Sequence, residues 1–428
     1  MTAPPQPRPP EPQADPAAAA LHRDPAAGPT EGPSRVPAGG PLGGLHAPTL
    51  AEDGVLRPTH VEVNLDTLAS NLRAIQARVG PGVGVMPVLK ANAYGHGLVP
   101  VARRMEAEGA VALSVAYLEE GLMLRRAGLR CPVLVLGGVV GEQIPLFIQN
   151  DLQITASSVS KLNAVEDCAR ALGRRAQVHL KIDTSMERVG VHWYSAGPLL
   201  ERSVQCQNID VIGIYSHLAN SDSADPTPTE TQRARFLEAL RFYEQRSLPT
   251  PLRHLANSGA ILQHPDCALD LVRPGILLYG VRPDPSVPLT VPVRPALRWS
   301  SRVVYFKVVP AGAPVSYGST WAPAQDTRVV TVPVGYGDGY FRSMSGNAQV
   351  LLGGARRPVV GRICMDQLMV DIDQSSAYNG DEVVLLGEDE AGNHITAEDL
   401  ADWAGTIAYE VLTNINTRVP RVYSGEAP

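Results

Sequence analysis

The chain has 428 residues, of which 44% are hydrophobic and 19% charged, a balance that excludes a wholly disordered chain and a coiled coil. Its net charge of −6, from 37 basic and 43 acidic residues, argues against a nucleic-acid partner or an anionic membrane surface. No run nears the roughly 18 apolar residues of a membrane helix, and at roughly 150 residues per domain the length predicts two to three domains.

Residues 1–52 stand apart. The first 50 residues hold 13 of the 38 prolines and almost no large apolar side chains, too little to offset the entropy of ordering. They read either as a disordered tail or as the product of a misassigned start codon, without chemistry of their own. Residues 53–66 contain an alternating run, His60 to Leu65, expected to form a strand that joins a later β domain. A helical stretch follows at Leu68 to Val79.

Short β-branched runs then begin near Gly84, Val111, Pro132, Leu152, Ala176, Asp210, Leu252 and Leu269, separated by amphipathic segments. Val159 to Leu172 and Thr229 to Arg246 carry apolar residues at three- and four-residue spacing, the signature of a helix with one buried face. Strand and helix in alternation predict a parallel sheet. Eight such units predict a closed (β/α)8 barrel over residues 67–296 rather than an open doubly wound sheet. No GxGxxG follows a strand, so a dinucleotide site lacks its main support.

Beyond Pro295 the helical period fades. Ser300–Val309, Arg328–Val334, Gln349–Leu352, Arg357–Ile363, Gln367–Ile372 and Glu382–Leu386 read as strands divided by Gly and Asp turns. One helix near Thr396–Trp403 and a last strand near Arg418–Tyr423 complete a second, mostly β domain over residues 297–428. The predicted class is therefore α/β, a TIM barrel followed by a β domain.

The amines and thiols are few. Only Lys90, Lys161, Lys181 and Lys307 are lysines, so chemistry needing a primary amine has a short list. The five cysteines lack CxxC spacing, which predicts neither a disulfide framework nor a metal site and fits a reduced cytoplasm.

In a barrel, reacting groups gather where the strands end. The first strand ends at Lys90, followed by Ala91-Asn92-Ala93-Tyr94-Gly95-His96-Gly97. A lysine there is either a nucleophile whose pKa burial lowers, suited to bonding an aldehyde, or a side chain reaching to the rim. The fifth strand ends at Lys181-Ile182-Asp183-Thr184, with Arg188 beyond. The sixth ends at Tyr215-Ser216-His217, the seventh at His254 before Asn257-Ser258, and the eighth at Arg273-Pro274-Gly275-Ile276. The turns after the last two place backbone N–H groups where such barrels hold phosphate. A strand-end lysine facing that cradle suggests pyridoxal phosphate.

The run Val88 to Gly97 resembles the cofactor-lysine signature of the alanine racemases, a family with a fold-type III pyridoxal phosphate barrel. Lys181-Ile182-Asp183-Thr184, Asn257-Ser258, Arg273-Pro274-Gly275-Ile276, Val315-Ser316-Tyr317-Gly318, Gly335-Tyr336, Cys364-Met365-Asp366-Gln367 and Tyr409-Glu410 are similar to further family motifs, in order, over about residues 58 to 423. The resemblance implies that Lys90 carries pyridoxal 5′-phosphate and acts as the base on the D face, with Tyr317 of a second subunit as the base on the L face. Acting as phenolate at neutral pH asks roughly 4 kcal/mol of a tyrosine, which His217 and Arg273 would help supply. It implies that Arg273 donates to the cofactor's ring nitrogen, oriented by His254. Tyr94, Asn257, Ser258, Gly275, Ile276 and Tyr409 would hold the cofactor, mainly at its phosphate. Arg188 and Met365 of the second subunit would bind the substrate carboxylate, while Tyr336 narrows the entrance and Ile407 and Tyr409 leave room for little more than a methyl group.

Two departures stand out. Where the family usually has Gly-Met-Gly-Arg, this chain has Ser185-Met186-Glu187-Arg188, and Glu187 is expected to compete for the charge of Arg188. Lys181 matches a position that some members carry as a carbamate; here it is either that or an ordinary ion-paired lysine. The implied protein is a cytoplasmic homodimer that interconverts L- and D-alanine and supplies D-alanine for peptidoglycan. Rivals of the same fold are a serine or broad-specificity racemase, a non-catalytic carrier of the cofactor, and a decarboxylase.

Overall fold

The computed structural model describes residues 56 to 425; the expected tail, residues 1–52, lies outside them. Eight parallel strands, Gly84–Val85, Leu113–Val115, Val133–Val135, Gln153–Ala156, Ala176–Asp183, Ile209–Tyr215, Leu252–His254 and Leu271–Val272, start within about two residues of the eight apolar runs. Each pairs with the next from the second strand to the eighth, and the eighth pairs back onto the first through Leu271 and Gly84. The first and second strands meet at a single bridge, Val88 to Ser114. Pro87 has no N–H to extend that ladder, but its carbonyl accepts from Ser114 N at 2.9 Å. The sheet is thereby closed into a (β/α)8 barrel.

Helices wrap it as the periodicity predicts. Val159–Leu172 is capped by Ser158, whose Oγ accepts from Lys161 N at 3.1 Å, and ends at Gly173 with φ 61°. Such a stop favours a residue without Cβ. Thr227–Gln245 buries Phe236, Leu240 and Tyr243, the side chains spaced for it in the sequence. The early helix is Leu65–Val79, three residues longer at its start than expected, because Asn64 Oδ1 caps Thr67 N at 2.8 Å.

Val191–His192 pairs with the end of the fifth barrel strand; the second sheet gathers the other strands, and His60–Asn64 lies within it, antiparallel to Leu297–Arg302 and parallel to Arg421–Ser424. The run read as one strand, Ser300–Val309, is two. Leu297–Arg302 pairs with Glu382–Glu388, whereas Tyr305–Val309 pairs with Thr327–Val332. The chain changes partners at Val303, bonded to Asp381 O, and Val304, bonded to Thr331 O. Sequence alternation carries no mark of that switch. A second helix, Ala408–Asn414, follows the expected one at Ala397–Ala404. It is too short for its buried trio, Ala408, Val411 and Leu412, to stand out as a period.

One buried carboxylate ties the ends of the described chain together. Asp338 is fully buried and accepts from Arg57 at 2.5 and 2.8 Å, from Arg418 at 2.7 Å and from Gly335 N at 3.0 Å. Burial opposes its charge, yet these donors hold its pKa below the usual carboxylate value. The same bonds fix the turn that presents Tyr336. No helix of the described residues is long and apolar enough to cross a membrane.

Candidate active site

Lys90 lies beyond the first barrel strand, two residues after the Val88 bridge, and opens an unusual turn. Ala91, Asn92, Ala93 and Tyr94 have φ of 54°, 57°, 52° and 50°, four successive left-handed residues without a glycine. The left-handed form costs roughly 1–2 kcal/mol per L-residue, so surrounding contacts must hold it. Ala93 N bonds Leu89 O at 2.8 Å, Gly97 N bonds Asn92 O at 2.9 Å, and Leu98 N bonds Asn92 Oδ1 at 2.8 Å. The turn leaves Lys90 at the wall of a cavity of about 410 Å³ in the barrel mouth. Burial lowers the pKa of its amine, the charge of Arg188 lowers it further, and Glu120 opposes both.

Lys90 shares the cavity wall with a cradle of small and hydroxyl-bearing groups. Asn257 caps the helix Ser258–Gln263 through Oδ1 on Ala260 N at 3.2 Å. Ser258 Oγ accepts from Gly275 N at 3.0 Å and from Leu277 N at 3.3 Å. A Cβ on Gly275 would stand 2.6 Å from Tyr94 Oη, so only glycine lets the phenol and the backbone share this space. Tyr94 stacks on Tyr279 at 4.9 Å and leans on Tyr409 at 6.1 Å. Burial raises the pKa of Tyr94 and Tyr409, which keeps both phenols protonated and able to donate. Ile276 completes the wall.

Arg273 enters from the eighth strand. It is buried, and its Nη2 donates to Ser216 O at 2.7 Å and Leu255 O at 3.2 Å while Nη1 lies 2.8 Å from His254 Nδ1. Burial pushes its pKa down to about 10, leaving it charged near neutrality. A guanidinium only donates, so His254 Nδ1 accepts and its proton sits on Nε2. That nitrogen lies 2.9 Å from His179 Nδ1, and His179 Nε2 lies 3.0 Å from Gln153 Oε1. Gln153 Nε2 in turn donates to Gln177 Oε1 at 3.1 Å. The chain runs one way through the barrel core, and His254 stands behind Arg273 rather than in the cavity. His217 lines the cavity, neutral because burial, and then the charge of Arg273, lowers its pKa well below the ordinary value.

The fifth strand supplies Lys181, and the loop beyond it Arg188; both line the cavity. Lys181 is buried, its Nζ has no hydrogen-bond partner, and it hangs 4.7 Å above the Tyr215 ring. No carboxylate among the described residues makes an ion pair with it, contrary to the ion-paired alternative. Burial, then Arg273, lowers its pKa well below the usual value, which favours the neutral amine. The Arg188 loop is shaped by Asp183, which accepts from Ser185 N at 2.8 Å, Met186 N at 2.9 Å and Arg188 N at 3.3 Å. Ser185 and Glu187 sit at φ 131° and 53°, where the family's usual glycines would be unstrained. Glu187 does not compete for Arg188; its carboxylate lies 2.9 Å from His192 Nε2.

Three expected residues do not reach the mouth within one chain. Tyr317 is 69% exposed, Met365 53% and Tyr336 41%. Tyr317 instead lines a separate hollow of about 580 Å³ with Tyr305, Val308, Cys364 and Met369. Its turn is set by Ser316, whose Oγ donates to Arg362 O at 2.6 Å. Ile407 is also exposed and outside the cavity wall, whereas Tyr409 is in it. Sequence reading missed the wall formed after the second and third strands, Ala116-Tyr117 and Leu136-Gly137-Gly138, although the rule of strand ends points there equally. It also assigned no part to Glu120 or His179.

A lysine amine at the mouth of a closed barrel, sharing one cavity with hydroxyl-bearing and glycine residues and accompanied by a β domain, marks the class as a barrel enzyme with an amine in its candidate site. The chain belongs to the alanine racemase family, an isomerase family. The model of its N-terminal domain matches residues 63–283 and that of its C-terminal domain residues 296–423. The alanine racemase of Carboxydothermus hydrogenoformans is 43% identical over 370 residues, 86% of this chain and 100% of its own. The solved alanine racemase of Clostridium difficile superposes with a TM-score of 0.82 at 37% identity, covering 86% of this chain and 96% of its own. That of Bartonella henselae, solved with covalently bound pyridoxal phosphate, gives 0.77 at 28% identity, covering 86% and 99%.

Proposed function

We propose that this protein is a pyridoxal-phosphate racemase that interconverts L- and D-alanine as a cytoplasmic homodimer with shared active sites, supplying D-alanine for peptidoglycan. The observation that carries the reading is the single cavity that holds the Lys90 amine, its basicity lowered, together with Tyr94, Ser258 and Gly275.

The residues fit the cofactor. A phosphate suits the Tyr94 phenol, the Ser258 hydroxyl and the backbone N–H groups of Gly275 and Ile276, where any side chain on Gly275 would intrude. Asn257 orders that turn, and Tyr409 closes it from the C-terminal segment. Arg273, pinned by three of its five N–H groups, would have a free N–H to donate to the ring nitrogen. Because Arg273 only donates, it would leave that nitrogen an unprotonated acceptor, which would restrain the electron sink and disfavour side reactions such as transamination. His254 orients Arg273 from behind. The chemistry that pyridoxal phosphate would supply when bound is an electron sink that makes the proton on the Cα of an amine substrate removable.

Racemisation requires a proton to leave one face of Cα and another to arrive on the opposite face. The Lys90 amine would take or give the proton on the D face. Tyr317 of the partner subunit serves the L face, aided by neighbouring cationic and hydrogen-bonding groups such as Arg273 and His217. The exposure of Tyr317, Met365 and Tyr336 supports a site completed across a dimer. Arg188, with Met365 of the partner subunit, binds the substrate carboxylate. Tyr336 narrows the entrance. Lys181, as a carbamate, would give Arg188 an anionic partner.

Assaying racemisation across amino acids tests the substrate. Alanine is expected to lead; a tenfold faster reaction with serine or lysine would overturn the assignment, and release of carbon dioxide would indicate a decarboxylase.

A further inference from the structure

We propose that Glu120 is a positioning residue for Lys90: its carboxylate is the external brace that holds the left-handed turn following the lysine. The proposal rests on the reading of Lys90 given above, and it adds a residue that no family motif in the sequence pointed to.

The turn satisfies most of its own groups. Gly95 N bonds Ala91 O at 3.1 Å, Gly97 N bonds Asn92 O at 2.9 Å, and Ala93 N bonds Leu89 O at 2.8 Å. The amide of Ala91, the first left-handed residue and the one joined directly to Lys90, reaches outside the turn instead. It donates to Glu120 Oε1 at 2.7 Å. The other oxygen, Oε2, accepts from Ala116 N at 2.7 Å and Tyr117 N at 3.3 Å. One carboxylate therefore takes N–H groups from the segments that follow both the first and the second barrel strands.

Half of this arrangement is ordinary. Glu120 lies in the first turn of the helix Leu118–Arg126, and a glutamate there commonly reaches back to the amides preceding its helix. The bond to Ala91 is not explained by capping. It fixes the peptide plane between Lys90 and Ala91, at the point where the backbone enters a conformation that residues with a Cβ adopt only under constraint. Ala116 and Tyr117 line the same cavity as Lys90, so the brace sets the distance between two walls of the mouth. Its charge also acts on the amine, favouring the protonated form against burial and Arg188.

The chemistry selects glutamate. A carboxylate accepts all three bonds and donates none. Glutamine at the same length would set an NH₂ group against N–H donors on one side or the other. Aspartate, one methylene shorter, keeps the charge but cannot serve both segments.

The test uses the holoenzyme and its E120Q and E120D variants. In the wild type, backbone hydrogen exchange resolved at Ala91 should be slow although the site is solvent-accessible. In both variants exchange across residues 90–94 should rise about tenfold. Misplacement of a reacting group by an ångström costs on the order of 100-fold, so kcat is expected to fall about 10- to 100-fold with KM within threefold. The deuterium isotope effect should grow with D-[2-²H]alanine, whose proton Lys90 removes, and stay unchanged with L-[2-²H]alanine. A helix-capping role alone would lower thermal stability and leave all three readouts unmoved, and that result would overturn the proposal. If neither variant folds, rapid exchange at Ala91 in the wild type would overturn it. Were Lys90 itself found without cofactor, the reading of the lysine would fail, while exchange at residues 90–94 would still decide the brace.

Discussion

His254 Nε2 lies 2.9 Å from Nδ1 of His179, two buried imidazoles whose proton is assigned by the arginine beyond them. Because Arg273 can only donate, His254 accepts from it on Nδ1 and donates from Nε2, and His179 repeats the pattern toward Gln153. Neither ring has a free site for a second proton. Both pKa values are therefore depressed, chiefly by burial, with His179 lowered to about 3.

The sign of the linkage follows. A histidine whose folded pKa lies below its unfolded value near 6.5 binds protons more readily when unfolded. Its contribution is complete above pH 6.5 and is lost progressively as pH falls toward about 3. His179 should thus remove about 2 kcal/mol of stability between pH 6.5 and 5. Urea denaturation across that range tests this. His179→Gln should flatten the slope, and an unchanged slope would contradict the burial of a neutral ring. Imidazole ¹⁵N spectra should show both rings protonated at Nε2.

Asp338 gives a second prediction, on stability alone. Asp338→Asn leaves Arg57 and Arg418 without their shared anion. Both arginines keep access to solvent, so the cost should be that of hydrogen bonds to a charged group, about 1.5–3 kcal/mol, visible as a lower urea midpoint at pH 7. Since the folded pKa is depressed, the wild-type advantage is present above the unfolded carboxylate pKa and disappears as pH falls through the folded value. A variant as stable as wild type at neutral pH would show the pair to be dispensable.

Lys181 combines an amine whose basicity burial lowers with an Nζ that has no hydrogen-bond partner, both of which favour attack on carbon dioxide to give a carbamate and release a proton. Incubation with ¹³C-bicarbonate is expected to yield a carbamate carbon signal, abolished in Lys181→Ala, with activity reduced about 10-fold as Arg188 loses its orientation. Absence of the signal under saturating bicarbonate would contradict the assignment.

Much of this could be read from residue order. The eight barrel strands announce themselves because parallel strands buried on both faces are continuous apolar runs, and strand ends then point to Lys90, His217 and Arg273. Other features leave no local trace. The split at Val303 depends on which partner each half pairs with, and the clamp of Glu120 on Ala91 joins residues 29 apart in sequence. His179 reads as a core histidine until His254 is found beside it. The fate of Glu187 was likewise hidden: its adjacency to Arg188 suggests a pair, but a left-handed backbone turns its carboxylate to His192.

The two-base reading gives an asymmetric expectation. Tyr317→Phe should retain cofactor absorbance, because the residue lies outside the Lys90 cavity of its own chain, yet lose racemisation by at least about 100-fold, as expected for a proton-transferring group. Undiminished turnover would remove Tyr317 from the mechanism. Mixing Tyr317→Phe with Lys90→Ala chains should restore part of the activity, since each heterodimer then has one intact site. No recovery would count against sites shared between subunits.

The most direct measurement concerns the lysine. Purified protein loaded with pyridoxal phosphate should absorb in the visible, and borohydride should bleach that band and fix the label. Peptide mapping should then find the reduced cofactor on Lys90 alone. Colourless protein after loading, or a label on Lys161, Lys181 or Lys307, would contradict the assignment of the barrel mouth.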